Sequence, residues 1–249
     1  MNDFSILIGG KAGDGIDKAG TLIARILNTV GYRIYIYRNY PSIIRGGHAF
    51  SIIRAAKNKI STHLNKVDFL LALNQDSLDL HYQRVKDDTI IIYNSDAVTI
   101  AHAISAKTFG IPLEKIIKEE NTSQVMRNSC LVGAFCKSTG IKWDILEKVF
   151  RKVIGKEIEL NLKVALRGYN ETKEIVAIEA LSQKSLPLIT GNEAIGLGFI
   201  KAGLKAYIAY PMTPSSPILI KNGPHAEYLM KDSREEFFRE IREWFEATL

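Results

Sequence analysis

Short apolar runs alternate along the chain with segments in which apolar residues recur at helical spacing, and this alternation constrains the fold most strongly. The predicted strands are residues 4–9, 32–37, 49–55, 69–73 and 89–93, and the predicted helices among them are residues 16–30 and 77–85. Lys57 and Asn58 are typical of a hairpin turn. The run at 69–73 is continuously apolar, as expected for a strand buried on both faces. The pattern predicts an α/β protein with an open, mostly parallel sheet.

The second half of the chain is mainly helical before the strand–helix pattern starts again. Its predicted helices are residues 123–138, 143–154 and 158–172, which we expect over one face or edge of the sheet. After them come a predicted strand at 188–190, a helix to residue 202 and a strand at 206–210. We therefore predict a first domain at 1–178, a polar linker at 179–186 and a partial second α/β unit at 187–249 that ends in an amphipathic helix.

Composition excludes several classes of protein. The chain has no window of 18 uninterrupted apolar residues and no amino-terminal secretory signal, so we expect a cytoplasmic protein without a membrane partner. Cys130 and Cys136 are its two cysteines, which offer neither a disulfide framework nor an all-cysteine iron–sulfur cluster. His48 and His63 have no companion ligands at metal-binding spacing, and we interpret them as ordinary polar residues.

The net charge of +6 is unevenly distributed along the sequence. Nine lysines and arginines and no acidic residue lie between Lys18 and Val67. This excess predicts a positive surface that attracts phosphates, carboxylates or an acidic protein. The basic residues are dispersed and match no zinc-finger, RNP or basic-helix pattern, so nucleic acid is not an expected partner.

A glycine-rich segment, residues 9–15, joins the first predicted strand to the first predicted helix. Backbone N–H groups and the helix dipole at such a junction favour an anion. The glycine spacing matches neither a Walker A motif nor the GxGxxG motif of dinucleotide-binding proteins. Arg38, which ends the second predicted strand, could bind a 2′-phosphate, so an NADP-binding oxidoreductase is one alternative. A tight turn that only needs glycine for its backbone angles is another.

Two further motifs identify a family. Residues 40–48 read Tyr-Pro-Ser-x-x-Arg-Gly-Gly-His, and residues 210–216 read Tyr-Pro-Met-Thr-Pro-Ser-Ser. Together with Gly-Lys-Ala-Gly-Asp-Gly-Ile at 10–16, the first motif resembles the γ-type domain of 2-oxoacid:ferredoxin oxidoreductases. The second motif, preceded by Gly-Asn-Glu-Ala at 191–194, resembles the start of the α domain that many of these enzymes fuse behind the γ domain.

The resemblance implies an enzyme that decarboxylates a 2-oxoacid, of the 2-oxoglutarate or pyruvate type, on thiamine diphosphate with Mg. Such an enzyme transfers the acyl group to coenzyme A and passes electrons through iron–sulfur clusters to ferredoxin. The resemblance also implies a hetero-oligomer whose β-subunit shares the thiamine diphosphate and carries the clusters. Thr213 would contact the substrate carboxylate, with Tyr210, Pro211 and Met212 beside the cofactor. The expected anion-binding or interface loop contains Gly10, Gly13, Gly15, Tyr40, Pro41, Arg45, Gly46 and Gly47.

The resemblance becomes weak after about residue 219. No later residue matches the acid that activates the thiamine pyrimidine in the family, so we expect a shortened α domain and a chain that is inactive alone. A non-catalytic assembly module is a further alternative to the oxidoreductase subunit.

Overall fold

The computed structural model describes residues 1–39, 46–100 and 104–203 together with residue 218. The chain divides into two compact units, Met1–Leu186 and Pro187–Leu249. None of the described helices is long and apolar enough to span a membrane. The predicted strand at 206–210 and the predicted carboxyl-terminal helix lie outside the described residues.

The first unit is a six-stranded sheet with helices packed against it. Its strands are β1 (Asp3–Lys11), β2 (Arg33–Asn39), β3 (His48–Ala56), β4 (Phe69–Ala72), β5 (Ile90–Asn94) and β6 (Lys107–Ile111). Its helices are α1 (Ile16–Thr29), α2 (Gln75–Asp79), α3 (Leu113–Glu119), α4 (Arg127–Ser138), α5 (Trp143–Val153) and α6 (Ile158–Asn170). Short 3-10 turns cover Tyr82–Arg84 and Gln124–Met126. In the second unit, α7 covers Gly191–Lys201, whereas the predicted strand at 188–190 does not form.

The strand order is β2-β3-β1-β4-β5-β6. Three neighbouring pairs are parallel, β1 with β4, β4 with β5 and β5 with β6, while β3 is antiparallel to both β1 and β2. The predicted α/β class with a mostly parallel sheet is therefore confirmed. The predicted hairpin turn at Lys57 and Asn58 is wrong, because the strand that follows, β4, joins the far side of β1 instead of pairing with β3.

The sequence analysis missed two elements and predicted a third as one continuous helix that the structure divides. Strand β6 contains Gly110 and only one buried residue, so it shows no alternation. Helix α3 has just seven residues, so the helical spacing of Leu113, Ile116 and Ile117 does not repeat along the sequence. The predicted helix at 77–85 divides into α2 and the Tyr82–Arg84 turn.

The core lies on both faces of the central strands. Residues 4–10 of β1 are all buried, as is the whole of β4, which is why these runs are apolar without alternation. On the helical side, α4 and α6 pack unusually closely. A Cβ atom at Gly133 would lie 2.0 Å from the Ala165 carbonyl oxygen, and one at Gly168 would lie 2.0 Å from the Cys130 carbonyl oxygen. Glycine at these two positions is what permits the approach of the two backbones.

Residues 179–186, the predicted linker, run against the first unit. The Leu181 N–H donates to the Val30 carbonyl at 2.8 Å, and the Arg33 guanidinium donates to the Lys184 carbonyl at 2.9 Å. The buried Tyr32 hydroxyl lies 3.0 Å from the Glu179 carbonyl oxygen. The segment is therefore part of the packing of the first unit.

Candidate functional site

The carboxyl ends of the parallel strands lie along one edge of the sheet. Strands β1, β4 and β5 end there, at Lys11, Ala72 and Asn94. Strand β3 runs the other way and begins at the same edge, because His48 pairs with Lys11. Ligands of open α/β sheets bind beyond this edge, so it is the place to look for a functional site.

The two glycine motifs of the first unit meet at this edge. The Ala12 N–H donates to the Gly47 carbonyl at 2.7 Å, which joins the first motif to the second. Gly13 has a φ of 101° and Gly46 a φ of 88°, and apart from chain neighbours no atom of the described residues lies within 4 Å of where a Cβ atom would stand on either residue. Both backbones are therefore open to close approach by another group.

Gly10 and Gly15 serve internal packing. A Cβ atom at Gly10 would lie 2.7 Å from Cδ1 of Ile16, and one at Gly15 would lie 2.4 Å from Nδ2 of Asn128. Gly15 also has a φ of 73° as it opens α1. The tight-turn interpretation accounts for Gly15, and close packing against Ile16 accounts for Gly10 within β1, whereas Gly13 remains available to a ligand or a partner.

Both carboxylate oxygens of Asp14 accept hydrogen bonds. Oδ2 accepts the Lys11 N–H at 3.1 Å, and Oδ1 accepts a hydrogen bond from Arg127 at 3.2 Å. Arg127 also contacts Glu114 Oε1 at 2.5 Å. Asn128 donates through Nδ2 to the carbonyls of Asp14 and Gly15, at 3.0 and 3.2 Å.

The sequence interpretation missed Arg127, Asn128 and Glu114. They lie about a hundred residues after the loop, at the starts of helices whose local sequence carries no ligand-binding pattern. Only the packing of α3 and α4 beside the loop brings them to it.

Fewer side chains of the basic stretch, residues 18–67, are available to an anionic partner than the sequence predicts. Arg38 forms an ion pair with Asp17 and donates to the Thr21 hydroxyl at 3.1 Å, both on α1. Arg54 pairs with Asp3 at 2.7 Å. Acids from outside the stretch thus neutralise part of it, and the arginine that suggested a 2′-phosphate site is already engaged. Lys11 and Lys18, close to the loop, are exposed.

A histidine pair lies beside the loop. The Nε2 atoms of His48 and His81 are 2.9 Å apart, and the Phe50 ring packs against both imidazoles, with centroids at 5.8 and 4.4 Å. Burial lowers the pKa of both, that of His81 to about 4, and the His48 and Arg84 charges act on His81 in the same direction. The nearby Asp76 opposes the lowering of the His48 pKa. The interpretation of His48 as an ordinary polar residue missed this pairing.

Both cysteines are buried within α4, and burial raises the pKa of the Cys130 thiol to about 12 and that of Cys136 further still. Such thiols do not ionise near neutral pH and are poor ligands. Across residues 1–39, 46–100 and 104–203, no three metal-ligating side chains lie together.

Seven of the residues predicted to form sites lie outside the described part of the chain, and their roles stay predictions. They are Tyr40, Pro41, Arg45, Tyr210, Pro211, Met212 and Thr213. Of the described ones, Gly10, Gly13, Gly15, Gly46 and Gly47 are brought together at the edge.

Comparisons with known proteins find relatives among 2-oxoacid:ferredoxin oxidoreductase and 2-oxoglutarate synthase subunits. The subunit alpha of 2-oxoacid:ferredoxin oxidoreductase 2 from Aeropyrum pernix is 24% identical over 87% of this chain, which spans 42% of that relative's length. The 2-oxoglutarate synthase subunit KorC of Archaeoglobus fulgidus is 25% identical over 75% of this chain and 97% of its own length.

Solved structures share the fold. A 2-oxoglutarate:ferredoxin oxidoreductase from Magnetococcus marinus, with 2-oxoglutarate, coenzyme A and succinyl-CoA bound, matches with a TM-score of 0.78 and 24% identity, over 88% of this chain and 40% of its own. The γ subunit of a keto/oxoacid ferredoxin oxidoreductase from Geobacter sulfurreducens matches with a TM-score of 0.59 and 22% identity, over 68% of this chain and 97% of its own.

The family model for pyruvate ferredoxin/flavodoxin oxidoreductase matches residues 5–171, which hold the sheet, the glycine-rich loop and the helices that pack on both. This match confirms the resemblance inferred from the sequence motifs. The chain belongs to the pyruvate ferredoxin/flavodoxin oxidoreductase family.

Proposed function

We propose that the chain is a subunit of a 2-oxoacid:ferredoxin oxidoreductase, which converts a 2-oxoacid and coenzyme A to an acyl-CoA and reduces ferredoxin. The names of its relatives support the reaction class. The order of the sequence motifs supports a γ-type domain followed by the start of an α domain. In this proposal the chain works in a cytoplasmic hetero-oligomer with a β-subunit, and the remainder of the α domain is also required.

The observation that carries the proposal is the junction of the two glycine motifs through Ala12 and Gly47 at the carboxyl edge of the sheet. Open space at Gly13 and Gly46 allows an anion to approach the backbone. Exposed Lys11 and Lys18 and the amino terminus of α1 add positive potential there. These residues fit a phosphate-bearing group, and we propose the phosphates of coenzyme A. Coenzyme A supplies the thiol that accepts the acyl group.

The described residues do not fit thiamine diphosphate or an iron–sulfur cluster. Asp14 binds Lys11 and Arg127 through its two carboxylate oxygens, and among the described residues no three metal-ligating side chains lie together to hold Mg. Both cysteines are buried and protonated. We therefore assign the clusters to a partner chain. The contact with thiamine diphosphate and the substrate carboxylate is assigned to Tyr210, Pro211, Met212 and Thr213, together with the β-subunit.

The proposal is tested on the complex purified from its source without oxygen. We expect bound thiamine, iron and acid-labile sulfide, and ferredoxin reduction that needs both a 2-oxoacid and coenzyme A. The 249-residue chain alone should give no reduction above a control without enzyme, because it provides no electron relay.

Robust turnover by the isolated chain would contradict this division of labour. Bound nicotinamide in the complex would instead favour the NADP-binding alternative, which the engagement of Arg38 by Asp17 already disfavours. A complex with neither cofactor nor turnover would indicate an assembly module.

A further inference from the structure

The glycine-rich loop is held from one side by the first two residues of α4. Arg127 reaches the Asp14 side chain, and Asn128 reaches the backbone carbonyls of Asp14 and Gly15. The tight contact between Asn128 and Gly15, where a Cβ atom would lie 2.4 Å from Nδ2, shows that the loop and α4 are in direct contact. The shape of the loop therefore depends on a helix far away in the sequence.

Arg127 has partners on three separate elements. Its Nε donates to the Gln124 carbonyl at 2.9 Å in the preceding turn, one terminal nitrogen contacts Glu114 of α3, and the other contacts Asp14 of the loop. The Arg127 and Asp14 side chains are only 18% and 19% exposed. Charged hydrogen bonds that are shielded from water fix geometry more firmly than exposed ones, because fewer water molecules compete for them.

Asp14 poses an electrostatic problem for a loop that binds an anion. Its carboxylate belongs to the residue after Gly13, where a phosphate would approach, and an uncompensated negative charge there would repel the ligand. The carboxylate is nevertheless needed, because Oδ2 accepts the Lys11 N–H and closes the turn together with the bond from the Asp14 N–H to the Lys11 carbonyl. Arg127, which also pairs with Glu114, offsets the negative charge of Asp14 while leaving this turn closed.

We propose that Arg127 is a positioning residue for the glycine-rich loop: through Asp14 it holds residues 11–15 in the conformation, and at the charge, that an incoming phosphate group needs. This inference rests on the proposed function, because the anion it refers to is the phosphate of coenzyme A. The terminal nitrogens of Arg127 are directed at the protein carboxylates Asp14 and Glu114, so its proposed role is to position the loop.

A matched control is available at the other end of α3. Arg167 binds Glu119 at 2.8 Å and Glu120 at 2.6 Å, so it ties α6 to the carboxyl end of α3 as Arg127 ties α4 to its amino end. Arg167 also pairs with Glu171 at 3.8 Å. Replacing Arg167 removes an arginine with several acidic partners but leaves the loop untouched. The comparison of Arg127→Gln with Arg167→Gln therefore separates loop positioning from a general loss of ion pairs.

The experiment measures hydrogen exchange and binding on the full chain. In Arg127→Gln we expect the Lys11 and Asp14 amides to exchange about tenfold faster and the Kd for coenzyme A to rise about tenfold, because a shielded charged contact is lost. Arg167→Gln should change neither by more than about twofold. Binding of pantetheine, which lacks the phosphates, should be equal in all three proteins.

A second variant tests the inference if Arg127→Gln folds poorly. Adding Asp14→Asn removes the carboxylate beside the loop backbone and retains an oxygen for the Lys11 N–H, while Glu114 stays charged, so the double variant should recover part of the lost affinity for coenzyme A. Unchanged exchange and affinity in folded Arg127→Gln, or an equal effect in Arg167→Gln, would overturn the positioning role. No binding of coenzyme A by the parent chain would contradict the proposed function instead, while the exchange rates still decide the role of Arg127.

Discussion

The glycines of the loop differ in why a side chain is unfavourable at each position. Gly13 needs a positive φ but has open space, whereas Gly15 needs a positive φ and also excludes a side chain because of Asn128. Gly155 has neither constraint and is exposed. Sequence alone could not rank them, because the difference comes from a residue more than a hundred positions away.

Alanine substitutions should reveal this ranking. We expect Gly13→Ala to lower the free energy of unfolding by about 1 kcal/mol, through backbone strain, and Gly15→Ala by about 3 kcal/mol, because steric overlap is added. Gly155→Ala is the control and should change it by less than about 0.5 kcal/mol. Urea unfolding measures all three. Equal effects at Gly13 and Gly15 would contradict the contact with Asn128.

The buried pair of His48 and His81 should make stability depend on pH. The pKa of His81 in the folded chain, about 4, lies below its ordinary value of 6.5, so folding favours the neutral imidazole. Its contribution is fully present above pH 6.5 and is lost as the pH falls towards 4, by at most about 3 kcal/mol. The lowered pKa of His48 acts in the same direction.

Replacing His81 tests that dependence. His81→Gln removes the titration but keeps an amide that can bond to His48, so the loss of unfolding free energy between pH 7 and pH 4.5 should become smaller than in the parent protein. His63→Gln, which leaves the pair intact, is the control and should retain the full loss. If His81→Gln lost as much stability as the parent, the pair would not be its source.

At the scale of elements, the closest backbone approach that depends on glycine within the described residues is the contact between α4 and α6. Gly133 and Gly168 face the partner backbone at distances that leave no room for a methyl group. This contact also fixes α4, which carries Arg127 and Asn128 to the loop. The packing of two helices thus supports the geometry of the candidate site.

Gly168→Ala should lower the free energy of unfolding by about 3 kcal/mol or more. The better helix propensity of alanine recovers only about 1 kcal/mol, which does not offset a carbon placed 2.0 Å from a carbonyl oxygen. Gly198→Ala in α7 also replaces a helical glycine, but outside its own helix no described residue lies within 4 Å of its Cβ position, so the change should be neutral or slightly stabilising. Thermal and urea unfolding distinguish the two, and a neutral Gly168→Ala would show that the helices can move apart.

At the scale of the whole molecule, the first unit extends to Leu186. A fragment of residues 1–186 should fold, whereas a fragment of residues 1–178 should be less stable by about 2 kcal/mol. The shorter fragment would lose the hydrogen bond between Leu181 and Val30 and the one between Arg33 and Lys184. It would also lose the hydrogen bond from the Tyr32 hydroxyl to the Glu179 carbonyl. Denaturant midpoints of the two fragments measure the difference. Equal midpoints would mean that residues 179–186 act as a linker after all.

The sequence by itself determined the fold class, most strands and helices of the first unit, and the family. These follow from local periodicity and from motifs that are contiguous in the chain, such as residues 10–16, so no knowledge of long-range contacts is needed. Tertiary structure alone decided the antiparallel insertion of β3 between β1 and β2, the approach of His81 to His48, and the clamp of Arg127 on Asp14. Each of these joins segments distant in sequence. Their pairing depends on how whole elements pack, which no local pattern of side chains encodes.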